Sequence, residues 1–524
     1  MPIFLKMLVL ALLLPLVTGF VHQEPRPDAA SRQQSAADLE LQMTASPQPS
    51  AEAAAKTFNW RRDNNDVSAL AAANEPGPTA TTPDPATKTV HSWETGAGKS
   101  HLIPALEVPG FLILLNIRNR FAYGDDSDDY EVTFSSTWRN LRRQNWEFDT
   151  DPFKINQFGH PYQGATMYGL ARSTGLDFWE STLYSNLGSF VWEMAGETDT
   201  PSINDMATTG TSGSLLGEAL FRMSELVLHE TGTPDLWHEL GAAIISPPTG
   251  LNRLAFGKRF KTPFPGHAPA TFWRFRLGAA LSGDSEQTAT ADFAMSYGLP
   301  GKPGYRYTRP LDHFDFQISG FSTAANPLEI VLLRGMLYGK PYQAGDNYRG
   351  IWGIYGGYDY ISPGSFRVSN TALSLGTTAQ YWVAQGVALQ GTLLGGAGFG
   401  AAGVTPEGSS GRDYHYGLTP QGILALRLLF GDRAVLETVA RGYYVSGTGS
   451  DNAQGAERIA RATANLNLRV TGRHGIGLQF VKSIRDAHYF SQPDRRQSDR
   501  TVSVVYTYAG ATNFGAVEWR NQER

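Results

Sequence analysis

The sequence predicts a mainly β protein: a transmembrane antiparallel β-barrel of about twelve strands, preceded by a small helical domain. Three observations lead to this prediction. The second half of the chain alternates apolar and polar residues, the apolar faces are rich in glycine and alanine, and aromatic residues recur near the ends of the alternating segments. Strands of a membrane barrel alternate in this way, with one face toward lipid, one toward a polar lumen, and aromatic girdles at both interfaces.

Residues 1–19 have the pattern of a secretory signal peptide. Lys6 precedes an apolar run from Met7 to Val17, and small residues suitable for cleavage follow. The run is shorter than the ~20 residues that a membrane-spanning helix needs. The chain has no cysteine, which excludes disulfides and a thiol nucleophile and fits an exported protein. We therefore expect export across the inner membrane.

A linker is predicted over residues 20–100, which are rich in Ala, Pro, Ser and Thr and cannot bury a core. We expect it to be a disordered tether in the periplasm. The net charge of −5 gives no reason to expect a nucleic-acid partner.

The helical domain is predicted over residues 101–261. Apolar spacing and capping residues predict helices from Tyr162 to Thr174, from Phe178 to Ala195 and from Leu215 to His229. Gly175 suits the end of the first helix. Asp177 suits the start of the second helix, and Ser212 or Ser214 suits the start of the third.

The barrel is predicted over residues 269–510, where about twelve alternating segments are separated by Gly, Asp and Pro clusters. In the segment RATANLNLRV at 461–470, polar and apolar residues strictly alternate. Residues 511–524 form either a last strand or a tail. A soluble sandwich or propeller is the alternative, but apolar faces this rich in small residues would make a poor soluble core.

Residues 145–260 resemble an uncharacterised family of Gram-negative envelope proteins, the domain of unknown function 3943. The residues that carry the resemblance are Trp146, Asp149, Asp151, Asn156, His160, Pro161, Tyr162, Gly164, Ala171, Arg172, Gly175, Trp179, Gly188, Ser189, Trp192, Glu193, Glu197, Pro201, Ser202, Asn204, Asp205, Gly217, Glu218 and Arg222, together with the segment GLNRLAFGKRF at 250–260. The resemblance implies an envelope location with a barrel after the domain, and no particular reaction. Gln163 stands where the family has a second histidine, which argues against a two-histidine metal site.

The candidate catalytic residues are His160, Glu193, Glu197 and Asp205. Pro161 suits the first helical position, which leaves His160 at or next to the cap. A helix N-terminus disfavours imidazolium, so a neutral His160 could accept a proton. Glu193 and Glu197 are predicted to share one helical face near a C-terminus, where negative charge needs a partner. One histidine among carboxylates is unlike a zinc site, so we predict no metal and no cofactor.

Structural roles compete with catalysis at each of these positions. His160 could be a cap or a satisfied interface histidine. The two glutamates could form ion pairs with Arg172 or Arg222. For Glu218 and Arg222, which are four residues apart, an intrahelical pair is the default interpretation.

Three functions remain open from the sequence. The first is a structural or transport-linked protein of the Gram-negative outer membrane, in which a helical plug or periplasmic domain packs its small residues (Gly164, Ala165, Gly169 and Ala171) against the barrel wall or mouth. The second is a hydrolase that modifies envelope lipid or lipopolysaccharide. The third is a soluble periplasmic binding protein. For a barrel, the expected partners are outer-membrane lipids and the barrel-assembly machinery.

Overall fold

The computed structural model describes residues 99–122, 128–143, 146–149, 151–229, 234–256, 268–282, 287–321, 328–363, 366–404, 413–447, 455–489 and 493–519. The predicted signal peptide and all but the last two residues of the predicted linker lie outside these ranges. Helices occupy the described residues up to 256, and strands form a barrel from 271 onward.

Eight α-helices lie within the described part of the helical domain. They are α1 Leu102–Ala122, α2 Phe134–Arg142, α3 His160–Arg172, α4 Phe178–Ala195, α5 Ile203–Ala207, α6 Gly213–His229, α7 Leu236–Ile245 and α8 Pro247–Phe256. Two π-helical turns, Ile155–Gly159 and Thr208–Ser212, run directly into α3 and α6. By length and composition, α1 is apolar enough to cross a membrane.

Helix α4 begins where the sequence predicts. The Asp177 side chain accepts a hydrogen bond from the Glu180 backbone N–H at 2.9 Å, and the Glu180 side chain accepts one from the Asp177 N–H at 2.8 Å. This reciprocal capping satisfies two N–H groups that the helix itself leaves unpaired. The predicted serine cap of α6 is wrong, because the π-helical turn before Gly213 continues the helical path without a break.

Twelve antiparallel strands close into a barrel, which confirms the predicted fold class and strand number. The strands are β1 Thr271–Ser282, β2 Gln287–Tyr297, β3 Phe314–Phe321, β4 Leu328–Ala344, β5 Tyr348–Ile361, β6 Phe366–Ala384, β7 Val387–Val404, β8 Tyr414–Phe430, β9 Ala434–Val445, β10 Gly455–Thr471, β11 His474–Tyr489 and β12 Arg495–Ala509. Each strand pairs with its neighbours in sequence, and β1 pairs with β12.

The two ends of the barrel differ. At one end, tight turns join β4 to β5, β6 to β7, β8 to β9 and β10 to β11, and each contains a glycine with positive φ (Gly345, Gly386, Gly431 and Gly472). Glycine adopts this backbone conformation without a steric cost. We call this end the short-turn end and the opposite one the long-loop end.

Ion pairs between strands that are not neighbours identify the lumen side of the wall. Arg276 of β1 donates to Glu437 of β9 at 2.5 Å, and Arg461 of β10 donates to Glu329 of β4 at 3.0 Å. These strands are not adjacent in the barrel order, so both hydrogen bonds cross the lumen. All four residues are buried. The lumen of this barrel is therefore filled by its own charged side chains.

The segment that follows β12 closes the lumen at the short-turn end. Residues 511–519 form no strand. Arg427 donates to a backbone carbonyl of this segment at 2.7 Å, and Gln380 bonds both the N–H and the carbonyl of Val517 at 2.9 and 2.8 Å. Trp519, in the same segment, is completely buried in a hydrophobic cluster that the segment forms with barrel residues.

The helical domain lies against the outer wall of the barrel. Tyr416 of β8 has the same side-chain direction as the exposed Leu418, since side chains two apart share a face of a strand. The neighbouring Tyr414 also points outward, and its hydroxyl donates to the Asp151 carbonyl at 2.6 Å. On β5, the Tyr358 hydroxyl likewise donates to the helical domain at 2.5 Å.

The predicted lumen plug is therefore wrong, whereas the predicted contact of the domain with the barrel wall is observed. The described helices do not plug the lumen, because their contacts are with outward-facing side chains. The small residues of α3 mainly let helices approach each other rather than the wall: a Cβ on Gly164 would lie 1.8 Å from the Thr209 carbonyl oxygen, and one on Gly169 would lie 3.0 Å from Pro248.

Candidate functional site

The helical domain buries two groups of polar side chains. The first, which we call the His160 cluster, contains His160, Glu193, Asp205 and Thr209 and lies next to the start of β8. The second, the Glu218 cluster, contains Tyr168, Arg172, Glu218, Arg222 and Asp312.

His160 lies directly after the cap residue Gly159, one of the two positions that the sequence predicts, and is not itself the cap. It is the first residue of α3, but its backbone is helical and the preceding π-helical turn ends at Gly159. Because the backbone N–H groups at this point continue an existing helical path, the partial positive charge of a free helix end is absent. The position of His160 is explained by the packing of its ring instead.

The His160 ring lies between a hydroxyl and a carboxylate. Its Nδ1 is 3.2 Å from Thr209 Oγ1, and its Nε2 is 3.8 Å from Asp205 Oδ1. The His160 side chain is 11% exposed. Burial lowers the pKa of His160, although the nearby carboxylates of Asp149 and Asp151 oppose this effect. A neutral imidazole follows, with one nitrogen able to accept a proton.

Asp205 is held by the short helix α5. The Ser202 side chain caps α5 by accepting from the Asp205 N–H at 3.2 Å, and Asn204 Nδ2 donates to Asp205 Oδ1 at 2.8 Å. Asn204 also donates to the Tyr416 hydroxyl of the barrel at 2.9 Å. Burial raises the pKa of Asp205 to about 7, against the opposing effect of the hydrogen bonds from Ser202 and Asn204.

Glu193 and Glu197 do not share one helical face, since α4 ends at Ala195. Glu193 lies in the last turn of α4, is buried, and accepts a hydrogen bond from the Ser202 N–H at 2.7 Å. Glu197 lies beyond the helix, where burial and the Glu193 carboxylate raise its pKa. In the described ranges no ion pair joins Glu193 to a cation, so the predicted pairing with Arg172 or Arg222 is wrong.

Sequence reasoning did not identify the residues that connect this cluster to the barrel. Asn156 is completely buried and donates to the hydroxyls of Tyr414 and Tyr416 at 2.9 and 3.2 Å. Its Oδ1 atom has no hydrogen-bond partner in the described part of the chain. The available signal was a pair of tyrosines two residues apart at the start of a predicted strand, which the sequence analysis did not single out.

Arg172 and Arg222 both bind Glu218, in the Glu218 cluster. Glu218 accepts from Arg172 Nε at 2.8 Å, from Arg222 Nε at 2.7 Å and from the Tyr168 hydroxyl at 2.8 Å. Arg222 also donates to Asp312 at 3.1 Å, next to the short-turn end of the barrel. The predicted intrahelical pair of Glu218 and Arg222 is thereby confirmed. Each charged side chain of this cluster has a partner of opposite charge, so the cluster has the character of a structural network.

Chemically, the His160 cluster resembles a general base between a hydroxyl and an orienting carboxylate. Hydrogen-bond reach for such a group is ~2.6–3.2 Å, and unliganded sites often show longer distances. The Thr209 distance lies at this limit, and the Asp205 distance exceeds it. Among the described residues, no group of three or more His, Asp or Glu side chains is arranged to hold a metal ion.

The middle of the chain matches one known family model. The family is described as "Domain of unknown function (DUF3943)", and the match covers residues 145–248, which confirms the resemblance found in the sequence. A search of curated proteins gives no significant match.

Solved structures similar to the barrel are porins and a translocator. The NanC porin is 6% identical, with 45% of this chain and 98% of that one covered and a TM-score of 0.26. The KdgM porin in complex with disordered oligogalacturonate is 8% identical (45% and 98% covered, TM-score 0.22). The translocator domain of autotransporter NalP from Neisseria meningitidis is 14% identical (47% and 90% covered, TM-score 0.20).

Proposed function

We propose that this chain is an outer-membrane protein whose barrel is a sealed anchor, and that its activity belongs to the helical domain held against the barrel wall. The filled lumen is the observation that carries the proposal. Ion pairs such as Arg276–Glu437 and Arg461–Glu329 span the lumen, and residues 511–519 close one end. A solute would have to break buried charge pairs to pass, which costs several kcal/mol per pair by order of magnitude.

The exterior supports a membrane anchor. Outward-facing Leu, Val, Ile and Phe side chains are exposed on β10, β11 and β12, and aromatic residues lie near the short-turn end, including Trp352, Tyr381 and Tyr506. Single-chain barrels of bacterial outer membranes have an even number of strands, short periplasmic turns and longer extracellular loops. This rule assigns the short-turn end to the periplasm and the start of β8, beside the His160 cluster, to the outer side.

Conductance tests the sealed barrel. Purified full-length protein is inserted into planar lipid bilayers, and we expect no stable conductance steps because the lumen has no continuous aqueous path. The control is a variant that lacks residues 511–524 and has Arg276, Glu329, Glu437 and Arg461 replaced by alanine. This variant is expected to conduct, which proves that the assay detects an opened barrel.

Uniform porin-sized steps from the wild-type protein, lost after heat denaturation, would refute the sealed anchor. Transport through the lumen would then be the better explanation. Assembly of both proteins is checked by the heat-dependent gel mobility that folded barrels show.

A hydrolase acting on envelope lipid is the second candidate. The observation that favours it is that the His160 ring lies between the Thr209 hydroxyl and the Asp205 carboxylate. The test compares His160→Ala and Thr209→Val with His238→Ala, a control at a histidine paired with Asp235 at the start of α7. The native strain carrying each variant is analysed by mass spectrometry of its envelope lipids. Lipids that change with the first two variants but not with the control would support catalysis; unchanged lipids with normal assembly would exclude it.

A further inference from the structure

The helical domain occupies a part of the barrel wall that a membrane barrel normally presents to lipid. Strand β3 shows this most clearly. Its outward side chains Phe314, Phe316 and Ile318 all belong to, or pack against, the hydrophobic cluster that includes Tyr168 and Leu215 of the helical domain. The eight residues of β3 extend ~26 Å at 3.3 Å each, and less in height once the strand tilts. Little of the ~25 Å lipid-facing band is left uncovered on this strand.

One row of paired residues connects the exposed wall to the covered wall. Phe275 of β1 is 37% exposed and pairs with Phe293 of β2. Phe293 pairs with Ile318, and Ile318 pairs with Val331, which is buried. The next residue in the row, Tyr360, packs against the helical domain. Because neighbouring strands are only ~4.8 Å apart, the wall changes from exposed to helix-covered within a few strands along this row.

The surface of the helical domain that faces away from the barrel is apolar. On α4, Trp179, Leu183, Leu187 and Val191 follow one another at four-residue spacing and are 45–61% exposed. Residues four apart form one stripe on a helix. A helix at a water surface places polar residues there instead. Contiguous apolar patches of this kind mark a protein or membrane interface.

Helix α1 extends the same surface. Leu106, Ile113, Ile117 and Phe121 are exposed, while its opposite side packs against Met167 and other buried residues of the domain. The 18 residues of α4 span ~27 Å, close to the ~25 Å height of a barrel's apolar band. The length of α4, the apolar outer surface of α1 and α4, and their position beside the barrel therefore all match the apolar band of a membrane barrel.

We propose that the helical domain is embedded in the membrane beside the barrel, with the outer stripes of α1 and α4 in contact with lipid acyl chains. Three features argue for acyl chains as the occupant. The stripes continue the exposed apolar wall of the barrel, the domain covers wall positions at the depth of the lipid-facing band, and the polar His160 cluster is turned inward. This arrangement places a buried polar site within reach of membrane lipid without passage through the lumen.

The absence of native cysteine allows a direct test by single-cysteine spin labelling. Leu187→Cys reports on the α4 stripe in the full-length protein reconstituted in phosphatidylcholine vesicles. Two controls lie on β12: Val504→Cys on the exposed apolar wall, and Arg496→Cys at the long-loop end, where the arginine side chain is 78% exposed. Collision of each label with oxygen, which enriches in the bilayer, and with a water-soluble nickel chelate is measured by power saturation.

The proposal expects the label at Leu187 to match that at Val504, with frequent oxygen collisions and nickel collisions reduced by the same factor relative to Arg496. A nickel collision rate like that at Arg496 would overturn it, because the stripe would then face water. Low collision rates with both reagents would also overturn it, in favour of a protein partner, and dipolar broadening would identify that partner as a second copy. If Leu187→Cys fails the heat-mobility check for assembly, Leu183→Cys reports on the same stripe.

Discussion

Glu218 is the residue whose removal should most destabilise the helical domain. It is completely buried and accepts hydrogen bonds from Arg172, Arg222 and Tyr168 at 2.7–2.8 Å. Glu218→Ala leaves two buried guanidinium groups without their shared carboxylate. Arg222 keeps its hydrogen bond to Asp312, and Arg172 keeps one to a backbone carbonyl at 2.8 Å, so each arginine retains a hydrogen-bond partner.

The size of the effect follows from these contacts. Hydrogen bonds to charged groups contribute ~1.5–3 kcal/mol each, so three would give an upper limit of about 4.5–9 kcal/mol. The remaining partners of the arginines reduce this to the ~3–5 kcal/mol typical of breaking a buried ion pair. Since a factor of ten corresponds to ~1.4 kcal/mol, amide exchange through opening of the domain should accelerate roughly 10²–10⁴-fold.

Hydrogen–deuterium exchange of the purified protein measures the acceleration of amide exchange in Glu218→Ala. Peptides from α3 and α6 are the reporters, and β10–β12 are the internal reference. The matched control is Lys99→Ala, which removes the partner of Glu180 in an ion pair whose side chains are 29% and 30% exposed, so a change of at most ~1 kcal/mol is expected. If α3 and α6 in Glu218→Ala exchange as slowly as in the control, the cluster does not stabilise the domain and the reasoning fails.

Two further predictions concern packing and pH. Gly164→Ala should destabilise the helical domain by ~1–3 kcal/mol, because its new methyl group meets the Thr209 carbonyl. Gly110→Ala in α1 meets nothing within 4 Å and should stabilise the domain by ~0.5–1 kcal/mol. Thermal unfolding that ranks the two variants in the opposite order contradicts the observed packing. Burial raises the pKa of Asp205 to about 7, above its unfolded value, so the stability that its protonated form confers is lost as pH rises toward 7. Asp205→Asn should therefore gain up to about 4 kcal/mol over the parent between pH ~4 and ~8, and a constant difference across that range would show that Asp205 does not titrate there.

The barrel could be predicted from the sequence because its signal is local. Alternation in segments such as 461–470 fixes which side chains share a face, and glycine-containing turns separate the strands. The boundaries of α4 were predictable for the same reason, since Asp177 and Glu180 lie within one helical turn of each other. Closure additionally requires β1 to pair with β12, which local alternation does not encode.

The candidate site was only partly predictable. His160 and Asp205 do come together, 3.8 Å apart at their nearest polar atoms. Thr209 and the tyrosines of β8 join them through contacts between residues far apart in the chain, and no periodicity encodes such contacts. The sequence paired Arg222 with Glu218 correctly but did not assign Glu218 to Arg172, because Arg172 and Glu218 are brought together by the packing of α3 on α6.

The sequence by itself determined that this chain has a barrel with a helical domain before it, because alternation and capping act over a few residues. The tertiary structure alone decided where that domain lies and whether the barrel is open. Tyr358 and Tyr414 have the outward strand positions of lipid-facing residues, and only the helices packed on them turn that surface into an interface. Likewise, arginines on inward positions could line a channel, and only their pairing across the lumen seals it.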